Sequence, residues 1–237
     1  MKKLGFGCMR LPQANPSDYG NIDLKTMENM VDAFLTNGFT YFDTAYMYHM
    51  GNSETALKRC LVNRHNRDSY TVATKLPVMM LKSVQDQERI FSEQLQKCGV
   101  EYFDYYLLHN LTIDFVKTAE RLDSFGFINK KKKEGLIKKT GFSFHDNAFL
   151  LDEILTAHPE VDFVQLQINY LDWDNEAIQS RKCYNVARKH GKPVVVMEPV
   201  KGGTLARLSQ EAESLLLNTQ PGMSVASWAI RFAGHIS

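Results

Sequence analysis

The chain has 237 residues, 44% hydrophobic and 23% charged, with a formal net charge of +1. That supplies a sizeable core and excludes a globally basic nucleic-acid binder or a charge-driven membrane protein. No apolar run is long enough to span a bilayer, the opening MKKLGFGCMRLP lacks a signal-peptide core, and Cys8, Cys60, Cys98 and Cys183 form no CxxC or metal-spaced cluster, so a cytoplasmic protein with free thiols is expected.

In chain order, strand-like runs occur at LGFGCMRL (4–11), TYFDTA (40–45), YTVATKL (70–76), DYYLLH (104–109), KTGFSFH (139–145), FVQLQIN (163–169) and VVVMEP (194–199). Most are apolar on both faces, as strands of a covered parallel sheet are. Helical stripes lie between them: Met27, Met30, Val31, Phe34 and Leu35; then Phe91, Leu95 and Cys98; then Leu150, Leu151, Ile154 and Leu155. Gly38, Gly99 and Gly191 stand where left-handed helix C-caps are expected.

Seven strand–helix units without a linker predict an α/β fold, a (β/α)8 TIM barrel forming one domain over residues 1–237. A doubly wound sheet is disfavoured, because Gly5-Phe6-Gly7 lies inside the first strand and lacks the third glycine of a phosphate turn. A barrel of this kind needs eight strands, and the last segment, SVASWAIRFAGHIS, reads as a helix. The expectation is therefore a barrel truncated before strand 8, since an open barrel exposes two sheet edges.

Active sites of such barrels gather at the C-terminal strand ends. There the sequence offers Asp43 and Tyr48 in YFDTAYMYH, Lys75 and His109. Tyr41, Asp43 and Ala45 share one strand face, as do Thr71, Ala73 and Lys75, and Tyr105, Leu107 and His109. A carboxylate, an ammonium and an imidazole thus converge, and Asp43 is expected to pair with Lys75. An ammonium beside a phenol lowers its pKa, so Tyr48 is placed to protonate a developing alkoxide while His109 polarises a carbonyl. No side chain donates hydride, so a nicotinamide is implied.

The run FDTAYMYH, with VATK and YLLHN, resembles the aldo-keto reductase superfamily over essentially the whole chain, from GFGCMRLP to SWAIRF. The resemblance implies a (β/α)8 barrel that reduces a small aldehyde or ketone with NAD(P)H. It implies a catalytic tetrad of Asp43, Tyr48, Lys75 and His109, with Tyr48 as general acid. It assigns Ser143 in GFS and Gln167 in VQLQINY to the nicotinamide carboxamide, with Phe144 standing where an asparagine is common. Met197 occupies the position of a stacking aromatic, and Gly202 and Gly203 let backbone approach the pyrophosphate. NADP is the family's expected cofactor, with NAD as the alternative. GFGCMRLP, GFSFH and MEPVKGG look like a subgroup of longer members that often carry a C-terminal ferredoxin-like region. A 4Fe-4S cluster is expected only if a longer natural chain supplies the cysteines.

Plainer readings stand beside these. Asp43–Lys75 alone would serve as a structural ion pair. Tyr41, Tyr105 and Tyr106 read as core or helix-facing residues, Cys8 as a filler, and NKKKKEGLIKK (129–139) as a solvated helix end. Met79 and Met80 lean towards a substrate pocket, and Trp173 towards substrate or surface packing equally. Two rival functions remain: a Schiff-base lyase using Lys75, and a cofactor-sensing or partner-binding barrel with little turnover. Neither nucleic acid nor a membrane is an expected partner, and oligomeric state is unconstrained.

Overall fold

Parallel strands and helices alternate along the computed structural model, which describes residues 2–236. All seven expected strands form, the first only over its opening residues because Cys8–Arg10 turn into a 3-10 helix: β1 (Gly5–Gly7), β2 (Tyr41–Asp43), β3 (Thr71–Leu76), β4 (Phe103–Leu111), β5 (Ile137–Phe144), β6 (Phe163–Gln167) and β7 (Val194–Met197). The helices are α1 (Leu24–Thr36), α2 (Ser53–Leu57), α3 (Val84–Cys98), α4 (Ile113–Arg121), α5 (Ser124–Lys133), α6 (Ala148–Ala157), α7 (Ser180–Lys189), α8 (Gln210–Thr219) and α9 (Val225–Ile236). Strands β1 to β4 neighbour one another in chain order, and β6 neighbours β7. None of the described helices is long and apolar enough to cross a membrane.

The chain divides into two compact units: residues up to Ser143 together with Glu160–Asp162, and Phe144–Pro159 together with residues from Phe163 on. In the first, β1 pairs with β2 through Gly5–Tyr41 and Gly7–Asp43, β2 with β3 through Tyr41–Thr71 and Asp43–Ala73, and β3 with β4 through Ala73–Tyr105 and Lys75–Leu107, all parallel. Val72 to Leu76 are buried without a break, as a strand covered on both faces requires. In the second, β6 pairs with β7 from Val164–Val194 to Gln167–Met197.

Local signals account for the helices. Asp23 caps α1 by accepting from the Thr26 amide, and Ser83 with Asp86 forms a capping box on α3. Gly99 closes α3 at φ +69°, while Gly38 and Gly191 follow their helices at +75° and +68°. Leu150, Leu151, Ile154 and Leu155 are buried on α6 as expected. Met30 departs from the expected stripe and is exposed on α1, where Met27 and Val31 carry the burial. The lysine run also departs from a purely solvated helix end. Lys131 is buried against Glu88 and Glu134 at 2.8 and 3.0 Å, with its ammonium near the Phe91 and Phe127 rings. Its long apolar stem lets a lysine be buried while the head keeps ionic partners.

Candidate active site

Strand register explains how the expected residues of the first unit meet. Asp43 lies opposite Ala73, and Lys75 is the next residue on that face of β3. Lys75 Nζ donates to Asp43 Oδ1 at 2.6 Å, to the Thr44 carbonyl at 2.8 Å and to Tyr48 Oη at 3.3 Å. Three donors therefore meet three oxygens on a side chain only 1% exposed. Because the ammonium donates to the phenol oxygen, the phenol's own hydrogen is left for another acceptor. The His109 ring stands edge-on to Tyr48, with centroids 5.8 Å apart and planes at 80°. His109 lies within β4, which runs to Leu111, two residues beyond the expected end of that strand.

Tyr48 opens a tight turn, Tyr48–Gly51, in which His49 and Met50 take left-handed φ values of 52° and 55°. Such conformations persist when surrounding contacts over-determine them. Here the buried His49 ring supplies those contacts. Its Nε2 accepts from the Leu11 amide at 2.9 Å, its Nδ1 donates to the Tyr19 carbonyl at 2.8 Å, and it stacks on Tyr19 at 4.4 Å.

Electrostatics correct one expectation. Burial pushes the Tyr48 phenol up, Lys75 pulls it down, and the net direction is above the usual tyrosine value, not below it. The cation opposes desolvation without overcoming it. Burial alone would push the Lys75 ammonium down, but Asp43 and Tyr48 outweigh this and hold it above the usual lysine range. An amine held protonated is no nucleophile, which counts against the Schiff-base reading. Cys8 is fully buried and its thiol is pushed up by burial, in keeping with a filler.

Tyr41 was expected to be a packing residue, yet it touches the site. Its hydroxyl donates to Asp43 Oδ2 at 3.3 Å, and burial followed by the Asp43 charge keeps the phenol neutral. Gly5 makes room for the ring, since a Cβ there would lie 2.8 Å from Tyr41 Cδ1. The available signal was parity, because Tyr41 shares a strand face with Asp43. Tyr106 instead faces a helix as expected, and its hydroxyl bonds Gln94.

The cofactor candidates fall in both units. In the first, Ser143 Oγ accepts from the Asn110 amide at 2.7 Å, which leaves its own hydrogen to donate. In the second, Gln167 lines a cleft of about 80 Å³ with Phe144, His145, Asp146 and Cys183; none of Asp43, Tyr48, Lys75 and His109 lines it. Gln167 Nε2 donates to Asp172 at 2.9 Å. Met197 is half-buried at the end of β7. Gly202 and Gly203 take φ +63° and +99°, and a Cβ on Gly203 would meet open space, so backbone conformation and not crowding selects glycine there. Lys201 pairs with the buried Asp172, a contact with no sequence signal. Trp173 packs edge-on to Phe232 and beside Tyr184, and Met80 is exposed. Among the described residues, no group of three or more His, Cys, Asp or Glu side chains could hold a metal ion.

Comparison with known proteins follows the same lines. The model of the aldo/keto reductase family matches residues 3–233. The chain is 25% identical over 224 residues to an aryl-alcohol dehydrogenase [NADP(+)] of Phanerodontia chrysosporium, covering 94% of this chain and 53% of that protein. It is 24% identical over 226 residues to an NADH-specific methylglyoxal reductase of Escherichia coli, covering 86% of this chain and 65% of that one. It thus spans about half to two thirds of the length of these relatives. The structure of an aldo-keto reductase from Klebsiella pneumoniae in complex with NADPH superposes with a TM-score of 0.68 at 19% identity, over 95% of this chain and 74% of that one. This likeness shows the fold: a (β/α)8 barrel architecture, of which the chain carries seven parallel strands.

Proposed function

This chain belongs to the aldo/keto reductase family, and we propose that it reduces an aldehyde or ketone with NAD(P)H, using Tyr48 as general acid. The observation that carries this reading is the Lys75 ammonium set between Asp43 at 2.6 Å and the Tyr48 phenol at 3.3 Å. As a carbonyl gains hydride, its oxygen takes negative charge and needs a proton. Tyr48 gives that proton, and the adjacent ammonium stabilises the phenolate left behind. Asp43 keeps Lys75 charged and aimed, while His109, edge-on to Tyr48, orients the carbonyl oxygen.

A bound nicotinamide supplies the hydride. The residues present suit it: Ser143 keeps a hydrogen to donate, Gln167 borders an open cleft, and Gly203 leaves its flank clear. We assign these, with Met197 and Gly202, to cofactor binding within one barrel domain, and take NADP as the first cofactor to test. The named relatives include one that uses NADP(+) and one specific for NADH, so the assay needs both.

The test is oxidation of NADPH and of NADH by the purified chain with a panel of small aldehydes and ketones. Wild type is expected to turn over at least one carbonyl. Tyr48→Phe is expected to lose about 100-fold or more in kcat while nicotinamide fluorescence still reports cofactor binding. Wild-type turnover in that variant removes Tyr48 from the role. Tight cofactor retention without turnover in the wild type would favour the sensing alternative.

A further inference from the structure

Glu54 has no part in the step above, yet its side chain is fully buried. A carboxylate at such a position is costly unless its oxygens are well partnered. We propose that Ser53 and Glu54, neighbours at the start of α2, are positioning residues that fix the Lys75 ammonium beside the Tyr48 phenol; the proposal rests on the functional reading above.

Glu54 acts on β3. Its Oε1 accepts from Thr74 Oγ1 at 2.7 Å and from Gln94 Nε2 at 2.8 Å, while Lys97 stands 3.5 Å from Oε2. The same Gln94 amide reaches the Lys75 carbonyl at 3.0 Å, and its oxygen accepts from the Tyr106 hydroxyl at 2.5 Å. Thr74 and Lys75 are successive strand residues whose side chains leave on opposite faces. Holding the Thr74 hydroxyl on one face and the Lys75 carbonyl in the strand fixes the rotation of β3 about its axis. That sets the direction in which Lys75 leaves the other face.

Ser53 acts on the end of β2. Its hydroxyl donates to the Cys8 carbonyl at 3.1 Å and so accepts from Thr44 Oγ1 at 2.8 Å. The Thr44 carbonyl is one of the three acceptors of Lys75 Nζ, at 2.8 Å. Two adjacent residues therefore hold two of the strand ends that meet at the ammonium. The segment that carries them follows directly on the turn Tyr48–Gly51. The phenol and both anchors thus belong to one short stretch, and loosening it moves donor and acceptor apart.

The test reads the phenol directly. Protein labelled with 13C-tyrosine is titrated through the alkaline range by NMR, with the Tyr48 resonance assigned from Tyr48→Phe. Glu54→Met, which removes the acceptor oxygen that Thr74 and Gln94 share, and Ser53→Ala are both expected to shift the Tyr48 titration upward, because the ammonium pulls on it less. They are expected to lower kcat by roughly 10- to 100-fold with NADPH Kd unchanged. Glu54→Gln keeps an acceptor oxygen and is expected to recover most of the loss. A fall in thermal midpoint with an unmoved Tyr48 titration would mean a merely structural role and would overturn the proposal. If Glu54→Met does not fold, Ser53→Ala decides by the same titration. A wild type that reduces no carbonyl defeats the functional reading alone, since the titration still reports whether these residues set the phenol.

Discussion

Two lysine–aspartate pairs, one in each unit, are built in opposite senses. In Asp43–Lys75 the amine is the buried partner, 1% exposed against 14% for the carboxylate. In Asp172–Lys201 the carboxylate is buried, 1% exposed against 35% for the amine. The neighbours differ accordingly. Lys75 has a titratable third partner in Tyr48, whereas Asp172 gathers amide donors from Gln167 at 2.9 Å and Asn169 at 2.8 Å. Burial pushes the Asp172 carboxyl up, but Lys201 and the two amides outweigh it and hold it below the usual range. A desolvated amine that touches a phenol is arranged to change a proton's affinity; a desolvated carboxylate ringed by amides is arranged to hold chain together. Lys201 itself sits at φ 46°, a left-handed conformation the clasp helps to retain.

That contrast can be broken by substitution. Lys75→Met is expected to cost the most, with carbonyl reduction down about 100-fold or more. It also leaves the Asp43 carboxylate without its cation, costing about 3–5 kcal/mol in denaturant unfolding. Retained turnover in this variant would erase the distinction between the pairs. Asp172→Ala strands the Gln167, Asn169 and Lys201 donors and is expected to cost about 2–3 kcal/mol. The functional effect of that variant should fall on cofactor KM more than on kcat.

A smaller effect concerns pH. Burial pushes the Glu54 carboxyl up from 4.5, with Thr74, Gln94 and Lys97 pulling the other way. The folded state then holds its proton more tightly than the unfolded one. Glu54's contribution to stability therefore declines as pH rises from about 4.5 towards the folded value. Glu54→Gln should flatten that part of the curve of thermal midpoint against pH; an unchanged slope would show that Glu54 is ionised without penalty. The smallest effect is expected at the exposed Arg181–Asp174 pair, where Asp174→Asn should change stability by no more than about 0.5 kcal/mol. A larger loss there would mean that exposure does not separate working pairs from idle ones.

Much of this organisation was legible beforehand. The strands could be read because buried parallel strands are apolar throughout, and the Asp43–Lys75 meeting could be read because alternation assigns each residue a face. The same alternation put Tyr41 beside Asp43, but its aromatic bulk suggested packing and hid the hydroxyl. Glu54 and Gln94 were missed because helical polar residues ordinarily face water, and only tertiary packing turns them onto Thr74 and the Lys75 carbonyl. Met30 failed for the reverse reason, since it stands at the edge of an apolar stripe whose burial falls on Met27 and Val31. Lys131 escaped because a run of like charges does not announce which member lies over the Phe91 and Phe127 rings.

The sequence by itself determined the alternation of strands and helices, the glycines at the helix ends and the strand faces on which Asp43, Lys75 and His109 emerge, because those follow from local periodicity and backbone sterics. Tertiary structure alone decided that burial outweighs the ammonium at Tyr48, that His49 holds the turn, and that Glu54 and Asp172 are desolvated. Those outcomes depend on solvent exclusion and on donors arriving from distant segments, and neither quantity exists until the chain has packed.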